Sequence, residues 1–286
     1  MNKLSKERRA QIVRCLVEGN SVRSTCRITG TEKRTVLRLL VAAGKACAEY
    51  QDKTLRDLKC RRVQCDEIWS FVGMKQKTAK RHGLHGLNVG DAWTWTAIDA
   101  DTKLVPCWYV SKTRDAGAAY EFMSDLEGRL AHRVQLTTDG HHAYLDAVGD
   151  TFGYMGVDYA MLVKLYGPDP SEAAEHRYSP AQCIGAEARK IFGNPDPAHI
   201  STSYVERSNL TMRMGMRRFT RLTNGFSKKL ENHVYQIALH FMWYNFGRVH
   251  QTLRVTPAME AGVADHVWMV EEIVDLIPEE EVVILK

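Results

Sequence analysis

The sequence predicts an α/β protein in which a mixed five-stranded sheet with flanking helices is preceded by an all-α domain. Residues 63–111 contain three segments rich in β-branched and aromatic side chains, which favour strands. Residues 115–166 then alternate between helical and strand periodicity, which is typical of a sheet covered by helices. The length of 286 residues is sufficient for a large core beside a small helical domain.

Residues 1–46 are predicted to form three helices joined by short turns. Ser5, Ser21 and Thr31 each stand where a side chain can cap the start of a helix. The order of helix, turn, short helix, tight turn and basic helix is that of a helix-turn-helix domain, whose last helix enters the major groove of DNA. A plain three-helix bundle is the alternative. The candidate DNA-contacting residues are Lys33, Arg34, Thr35 and Arg38.

Residues 47–62 are polar, lack a strong period and are predicted to form a linker. The next domain is predicted at 63–217, and 218–286 are predicted to add C-terminal helices. The predicted strands are 63–74, 92–100, 104–111, 133–139 and 159–166, and the predicted helices between them are 115–130 and 141–148. This β-β-β-α-β-α-β order is that of the ribonuclease H-like fold.

Three further helices are predicted, at about 204–217, 227–246 and 265–277. Before them, residues 167–200 are polar and contain Pro and Gly, with little period. So long a connection inside a compact domain is usually functional or disordered.

Charge is distributed unevenly along the chain. Residues 1–65 hold sixteen Lys/Arg against six Asp/Glu, and 207–229 hold seven Lys/Arg and no acid. The segment 265–286 reverses the sign, with seven acids against Lys286. Either basic block alone is as consistent with a solvated helix face as with a binding surface, but the two together favour a nucleic-acid partner.

Composition excludes several other classes of protein. No run of eighteen or more apolar residues is present, which argues against a membrane span, and the N-terminus lacks the apolar stretch of a secretory signal. Seven cysteines at irregular spacing argue against a disulfide framework and for a reducing cytoplasm. Cys60 and Cys65 lack a second Cys/His pair at zinc spacing, so we expect ordinary thiols.

Three acidic residues occupy special positions in this order of elements. Asp66 lies in the first predicted strand, Asp139 ends the fourth, and Glu206 begins the helix after the fifth. The first and fourth strands of this fold are neighbours, which brings Asp66 and Asp139 together. Oxygen ligands at such a cleft suit magnesium, and two such ions serve phosphoryl transfer. We therefore predict that Asp66, Asp139 and Glu206 are catalytic and bind metal, although any one of them alone could be a capping or surface carboxylate.

The predicted helix of Glu206 also carries basic residues. Asn209, Arg213 and Arg217 follow Glu206 at intervals that place them on one helix face, which suggests a phosphate track beside the metal site. The other basic-block residues predicted to contact DNA are Arg207, Arg218, Arg221, Lys228 and Lys229.

Several segments together resemble the insertion sequence one (IS1) family of bacterial DDE transposases. They are VQCDEIWSFVG, GDAWTWTAIDADTKLV, LTTDGHHAY, YVERSNLTMRMGMRRFTRLTNGFSKK and YNFGRVHQTLRVTPAMEAG, and the resemblance covers nearly the whole chain.

The resemblance implies cutting at element ends and joining of the 3′-hydroxyls to target DNA, with two Mg²⁺ ions or Mn²⁺ in their place. The implied partners are the terminal inverted repeats, target DNA and further copies of the chain, in the bacterial cytoplasm at the nucleoid. The family's triad corresponds to Asp66, Asp139 and Glu206. The sequence departs from the family in two respects, both of which concern how the element ends are recognised. Glu206 follows Asp139 by 67 residues, so 154–200 resembles an insertion. The family's N-terminal zinc finger has no counterpart in this sequence.

Other residues near these motifs are predicted to be structural. Glu67 should point to the sheet face opposite Asp66. His141 and His142 are expected at a helix start on the surface. The tryptophans, including Trp69 and Trp93, are expected in the core or on the sheet face, with stacking on a DNA base as the alternative.

Two other functions stay open at this point. One is a ribonuclease H-like nuclease without strand transfer. The other is a non-catalytic DNA-binding repressor derived from a transposase, against which the intact set of three acids argues.

Overall fold

The computed structural model describes residues 4–84, 87–167, 183–220 and 223–284. At its centre is a mixed sheet of six strands in the spatial order β3-β2-β1-β4-β5-β6. The strands are β1 (Arg62–Val72), β2 (Gly90–Asp99), β3 (Trp108–Ser111), β4 (Val134–Asp139), β5 (Val157–Tyr166) and β6 (Cys183–Phe192). β4 runs parallel to β1 and β5, and the other neighbouring pairs are antiparallel. The first five strands follow the predicted order.

The sixth strand corrects the prediction of a five-stranded sheet. β6 lies within 154–200, the segment interpreted as an irregular insertion, and pairs with β5 from Tyr159–Phe192 to Tyr166–Cys183. Most of its side chains on both faces are exposed. Because an edge strand that is solvated on both faces needs no alternation of apolar and polar residues, its sequence lacks the signal that identifies a half-buried strand.

β3 is shorter than predicted, because it begins at Trp108 rather than at Leu104. Pro106 has no backbone N–H and cannot complete a strand ladder. The neighbouring Val105 instead pairs with the side-chain amide of Asn245, which accepts from the Val105 N–H at 3.0 Å and donates to its carbonyl at 2.9 Å. A buried side chain thus supplies the hydrogen bonds that a neighbouring strand would supply.

Three helices precede the sheet: α1 (Lys6–Val17), α2 (Val22–Thr29) and α3 (Lys33–Thr54). Ser5 and Ser21 cap the first two as predicted, through bonds from the backbone N–H groups of Arg8 and Ser24. The predicted cap of the third helix by Thr31 is wrong, because Glu32 is at the cap position and makes no side-chain cap bond.

The predicted linker at 47–62 is also wrong over its first half, because α3 continues to Thr54. Cys47 and Gln51 lie on the buried side of this extension. The Gln51 side chain donates to the carbonyl of Ala238 at 3.1 Å, in the helix against which α3 packs. A single apolar core, which includes Ile12, Leu39 and Leu136, joins the N-terminal helices to the sheet. The polar residues of 47–54 therefore form the exposed side of a helix.

Helices cover both faces of the sheet. They are α4 (Gln76–Arg81), α5 (Ala116–Glu127), α6 (Ala143–Phe152), α7 (Ser203–Gly215), α8 (Leu230–Met242), α9 (Pro257–Glu260), α10 (Val270–Asp275) and α11 (Glu279–Ile284). On one face, Trp95 of β2 contacts Phe122 of α5 and Tyr144 of α6. On the other face, Ile68 of β1 clusters with side chains of α7 and α8. The predicted helix at 227–246 starts at Leu230 and ends in a π-helical turn, Trp243–Gly247.

We predict that Gly44→Ala destabilises the protein. α3 crosses α8 so closely that a Cβ at Gly44 would lie 2.3 Å from the carbonyl oxygen of Tyr235. The clash should lower the free energy of unfolding by about 2 kcal/mol, although alanine is the better helix former. Urea unfolding measures this change. The matched control is Gly117→Ala in α5, where the nearest atom is 3.7 Å away and no loss is expected. Equal stability of the two variants would contradict the close crossing.

Candidate active site

The parallel pairing of β1 with β4 brings together two of the predicted acids. Cys65 is in register with Thr138, so Asp66 and Asp139 are adjacent where β4 ends. One carboxylate oxygen each from Asp66, Glu67 and Asp139 lie within 4.8 Å of one another, and we call these three residues the acid cluster. Three convergent carboxylates at this spacing can bind a divalent ion.

Glu67 is the member of the acid cluster that sequence reasoning set aside. Its side chain leaves β1 on the face opposite Asp66 and accepts a hydrogen bond from the Tyr144 hydroxyl of α6 at 2.8 Å. Because β4 ends at Asp139, the Asp139 carboxylate is not confined to one sheet face and lies close to side chains from both faces of β1. The alternation of side chains therefore predicted the direction of Glu67 but not its proximity to Asp139.

Arg114 joins two of these carboxylates. It forms ion pairs with Glu67 and, at 3.4 Å, with Asp139. Its guanidinium carbon also lies 5.2 Å from the centre of the Trp93 ring, within range of a cation–π interaction. Sequence reasoning missed this residue because an arginine in a polar loop before a helix has no periodicity that would indicate its contacts.

α7 brings two further side chains to the same cleft. Asn209 donates to the Asp66 carboxylate at 2.8 Å, so it fixes the orientation of that carboxylate rather than lying on a phosphate track. Glu206 lines the cleft, which has a volume of about 700 Å³, but does not belong to the acid cluster. Its carboxylate forms an ion pair with Lys164 of β5 at 2.5 Å and accepts from the Thr202 hydroxyl. Arg213 also lines this cleft.

Burial and the repulsion between neighbouring carboxylates shift the pKa values of Asp66 and Glu67. Burial, followed by the charges of Glu67 and Asp139, raises the pKa of Asp66 from 3.8 to about 7. Burial also raises the pKa of Glu67, although Arg114 and Tyr144 oppose the shift. Charged carboxylates are therefore held where they are electrostatically unfavourable, and a bound cation would offset that cost. The donors are all oxygens, which hard divalent ions prefer.

Three of the four predicted DNA-contacting residues of α3 line a groove between α3 and the start of α8. Lys33 and Arg34 are exposed, and Arg38 is half-buried. Lys229, just before α8, lines the same groove, so the two predicted basic regions meet there. Thr35 is only 7 % exposed and corrects the prediction, because it faces the interior of the helical bundle instead of the groove.

The other predicted contacts do not form one track. α7 ends at Gly215, so Arg217 lies in a following turn of 3-10 helix and does not continue the predicted helix stripe. Arg207 lines a different cleft, beside Tyr244 and His250. Lys228 lies over the Phe226 ring, and Arg221 is outside the described residues.

Arg218, predicted to contact DNA, instead belongs to a buried hydrogen-bonded chain. Its guanidinium donates to the Ser227 hydroxyl at 2.7 Å, and that hydroxyl lies 3.1 Å from Nδ1 of His233. The other ring nitrogen lies 3.0 Å from the Ser70 hydroxyl, which donates to the Ala92 carbonyl. Burial lowers the pKa of His233 to about 3, so the ring is neutral at pH 7. This chain ties α8 and the segment before it to β1 and β2.

The fold places an acid cluster that could hold a divalent ion beside the end of a central strand of a mixed sheet. Residues 87–164 match the family model DDE_Tnp_IS240, which is described as a DDE domain. The match runs from β2 into β5 and contains Asp139, whereas Asp66 and Glu206 lie outside it. No curated protein matches the chain at a significant level. Within the described ranges, no helix combines the length and apolarity needed to traverse a membrane.

We predict that Asp66→Asn stabilises the metal-free protein at alkaline pH. The unfolded chain loses the Asp66 proton near pH 4, but the folded protein keeps it until about pH 7. Stability therefore falls as the pH rises through this interval, and the penalty is complete above it. Asparagine avoids the penalty and should raise the free energy of unfolding by about 2 kcal/mol at pH 8.

Urea unfolding in EDTA at pH 4 and pH 8 measures the effect. The gain should disappear at pH 4, and Glu127→Gln, at an exposed carboxylate of α5, should show none at either pH. A loss of stability in the Asp66→Asn protein at pH 8 would refute the raised pKa.

Proposed function

We propose that the chain is a DNA transposase that cuts the ends of an insertion sequence and joins the freed 3′-hydroxyls to target DNA. The observation that carries the proposal is the acid cluster formed where β4 ends beside the middle of β1, in a chain whose residues 87–164 match a DDE-domain family model. The resemblance of the sequence to the IS1 family is consistent with this function, although the matching family model bears a different name.

Asp66 and Asp139 would hold divalent ions, with Glu206 as the third ligand from α7. The oxygen donors and the raised pKa of Asp66 fit such ions, and Mg²⁺ is the expected one, with Mn²⁺ as an alternative. Two such ions, when bound, supply activation of the attacking oxygen and stabilisation of the leaving oxygen. Glu206 would exchange its ion pair with Lys164 for the metal, which frees a lysine beside the reacting phosphate.

The chain's own residues prepare the site for a phosphate. Asn209 holds the Asp66 carboxylate in one orientation, and Arg114 holds Glu67 and Asp139. Arg114, Lys164 and Arg213 also place three positive charges in the cleft beside its four carboxylates. These charges would attract the DNA backbone and counter the repulsion between phosphate and acids.

The N-terminal helices and the groove at α3 would recognise the terminal inverted repeats. Pairing two element ends needs at least two active sites, so the working form is a homo-oligomer of at least two copies on DNA. The place of action that goes with this function is the bacterial nucleoid.

A strand-transfer assay with Mg²⁺, element-end DNA and target DNA tests the catalytic assignment. Asp66→Asn, Asp139→Asn and Glu206→Gln should each lower joining by about 10³-fold, because each removes a metal ligand worth several kcal/mol in the transition state. DNA binding should persist in all three. Glu127→Gln is the matched control, since it neutralises an exposed carboxylate remote from the cleft, and it should join normally.

The result of this assay distinguishes a transposase from a nuclease and from a DNA-binding repressor. Cleavage without joining by the wild-type protein would indicate a nuclease, and specific binding without either reaction would indicate a repressor. Full joining by Glu206→Gln together with loss in Glu67→Gln would transfer the third ligand position to Glu67.

We also predict that Lys33, in the groove at α3, contacts a phosphate of duplex DNA. Lys33 and Lys53 are both exposed and lie on the same helix, about 30 Å apart. Lys33→Ala should weaken binding to duplex DNA and reduce the slope of log affinity against log salt by about one, because one phosphate contact is lost. Lys53→Ala should leave both unchanged. Fluorescence anisotropy at several salt concentrations measures them, and an equal effect of the two variants would exclude the groove as the DNA-binding surface.

A further inference from the structure

Beside the acid cluster, four aromatic side chains share one surface, which we call the aromatic strip: Trp93, Trp69, Phe71 and Phe226. Trp69 of β1 and Trp93 of β2 are direct cross-strand partners. Phe71 follows Trp69 on the same face of β1, with 5.7 Å between the ring centroids. Phe226, in the loop before α8, extends the strip with its centroid 4.6 Å from that of Phe71.

The aromatic strip lies beyond the helices that cover this sheet face. Trp95, two residues from Trp93 on the same strand face, is fully buried against α5 and α6. Trp69, in contrast, is 40 % exposed, and the other three rings are half-buried. The tryptophans were expected in the core or on the sheet face, and Trp95 is a core residue whereas Trp69 lies on an exposed part of the sheet face. An exposed ring of this size keeps apolar surface in water, which favours a role in binding.

The aromatic strip is continuous with the acid cluster. Glu67 and Trp69 are alternate residues of β1, so they stand on the same face about 7 Å apart. Arg114, which pairs with Glu67 and Asp139, also lies over the Trp93 ring. A molecule whose phosphate lies at the acid cluster would therefore have its next atoms at the strip.

Positive charge stands at both ends of the aromatic strip. Arg114 is at the end near the acids, and at the other end the Lys228 ammonium lies 3.5 Å from the centre of the Phe226 ring. A row of rings with a cation at each end suits a single-stranded nucleic acid, whose bases stack while its phosphates contact the charges. Paired bases hide their faces inside the duplex, so only unpaired bases can use such a surface.

We propose that the aromatic strip binds unpaired DNA bases next to the phosphate that reacts at the acid cluster. The proposal rests on the proposed function in taking DNA as the substrate and the acid cluster as the place where its phosphate reacts. An end opened over a few nucleotides would place its flanking bases on Trp69 and its neighbours, which would hold the reacting phosphate in register with the carboxylates.

The test compares single-stranded and duplex DNA on the full chain. Fluorescence anisotropy with a labelled oligothymidine of about 15 nucleotides, and with a duplex of equal length, is measured in EDTA so that no strand is cut. Trp69→Ala should weaken single-strand binding by about 5- to 100-fold and duplex binding by less than about two-fold. Trp69→Tyr, which keeps a stacking ring, should restore most of the affinity.

The matched control is Tyr120→Ala, which removes a ring that is 45 % exposed on α5, outside the aromatic strip. It should bind both DNAs as the wild type does. Circular dichroism and thermal unfolding check that each variant is folded. A 2-aminopurine base in a single-stranded overhang reports stacking directly, and its fluorescence should be quenched by the wild type and much less by Trp69→Ala.

The proposal is overturned if Trp69→Ala and wild type bind oligothymidine equally, or if the loss is the same for single-stranded and duplex DNA. A change in oligomeric state with unchanged DNA affinity would overturn it in favour of a protein–protein contact. The two proposals fail separately. Stacking that depends on Trp69 in a protein without Mg²⁺-dependent cleavage refutes the transposase, whereas normal joining with no effect of Trp69 refutes the aromatic strip alone.

Discussion

The parallel pairing of β1 with β4 is the constraint on which the rest of the site depends. It places Asp66, Glu67 and Asp139 together at the point where β4 ends, in a partly buried and mutually repelling group. Such a group is unfavourable for folding by itself, as the raised pKa of Asp66 indicates. Stability must come from the apolar layers on both faces of the sheet, which offset the electrostatic cost and keep the carboxylates convergent.

Some side chains around the acid cluster orient its carboxylates, and others line the cleft without bonding to the cluster. Asn209, Tyr144 and Arg114 each bond a carboxylate and so limit its rotation. Lys164 and Glu206 are paired with each other across the cleft, from β5 and α7. In the proposed function Glu206 would bind a cation and Lys164 a phosphate in place of this ion pair, and both side chains already line the cleft.

The N-terminal helices are part of the same structural unit as the sheet. α3 extends from the groove to the sheet domain and packs tightly against α8, and a buried chain from Arg218 through His233 to Ser70 ties the start of α8 to β1. A DNA duplex held at the α3 groove would therefore have a defined position relative to the acid cluster. Rigid coupling of this kind suits a reaction that must cut at a set distance from a recognised sequence.

Local pattern in the sequence by itself determined the order of the first five strands, the caps at Ser5 and Ser21, and the positions of Asp66 and Asp139 at neighbouring strands, because periodicity and capping act over a few residues. It could not identify β6, whose exposed faces carry no alternation. Nor could it separate the half-buried Arg218, which bonds to Ser227, and the buried Thr35 from basic and polar neighbours that are exposed. The approach of Glu67 to Asp139, the ion pair of Glu206 with Lys164, the Arg114 bridge and the exposure of Trp69 were decided only by tertiary structure. These contacts join residues far apart in the chain, and their geometry follows from where strands end and helices stop covering the sheet.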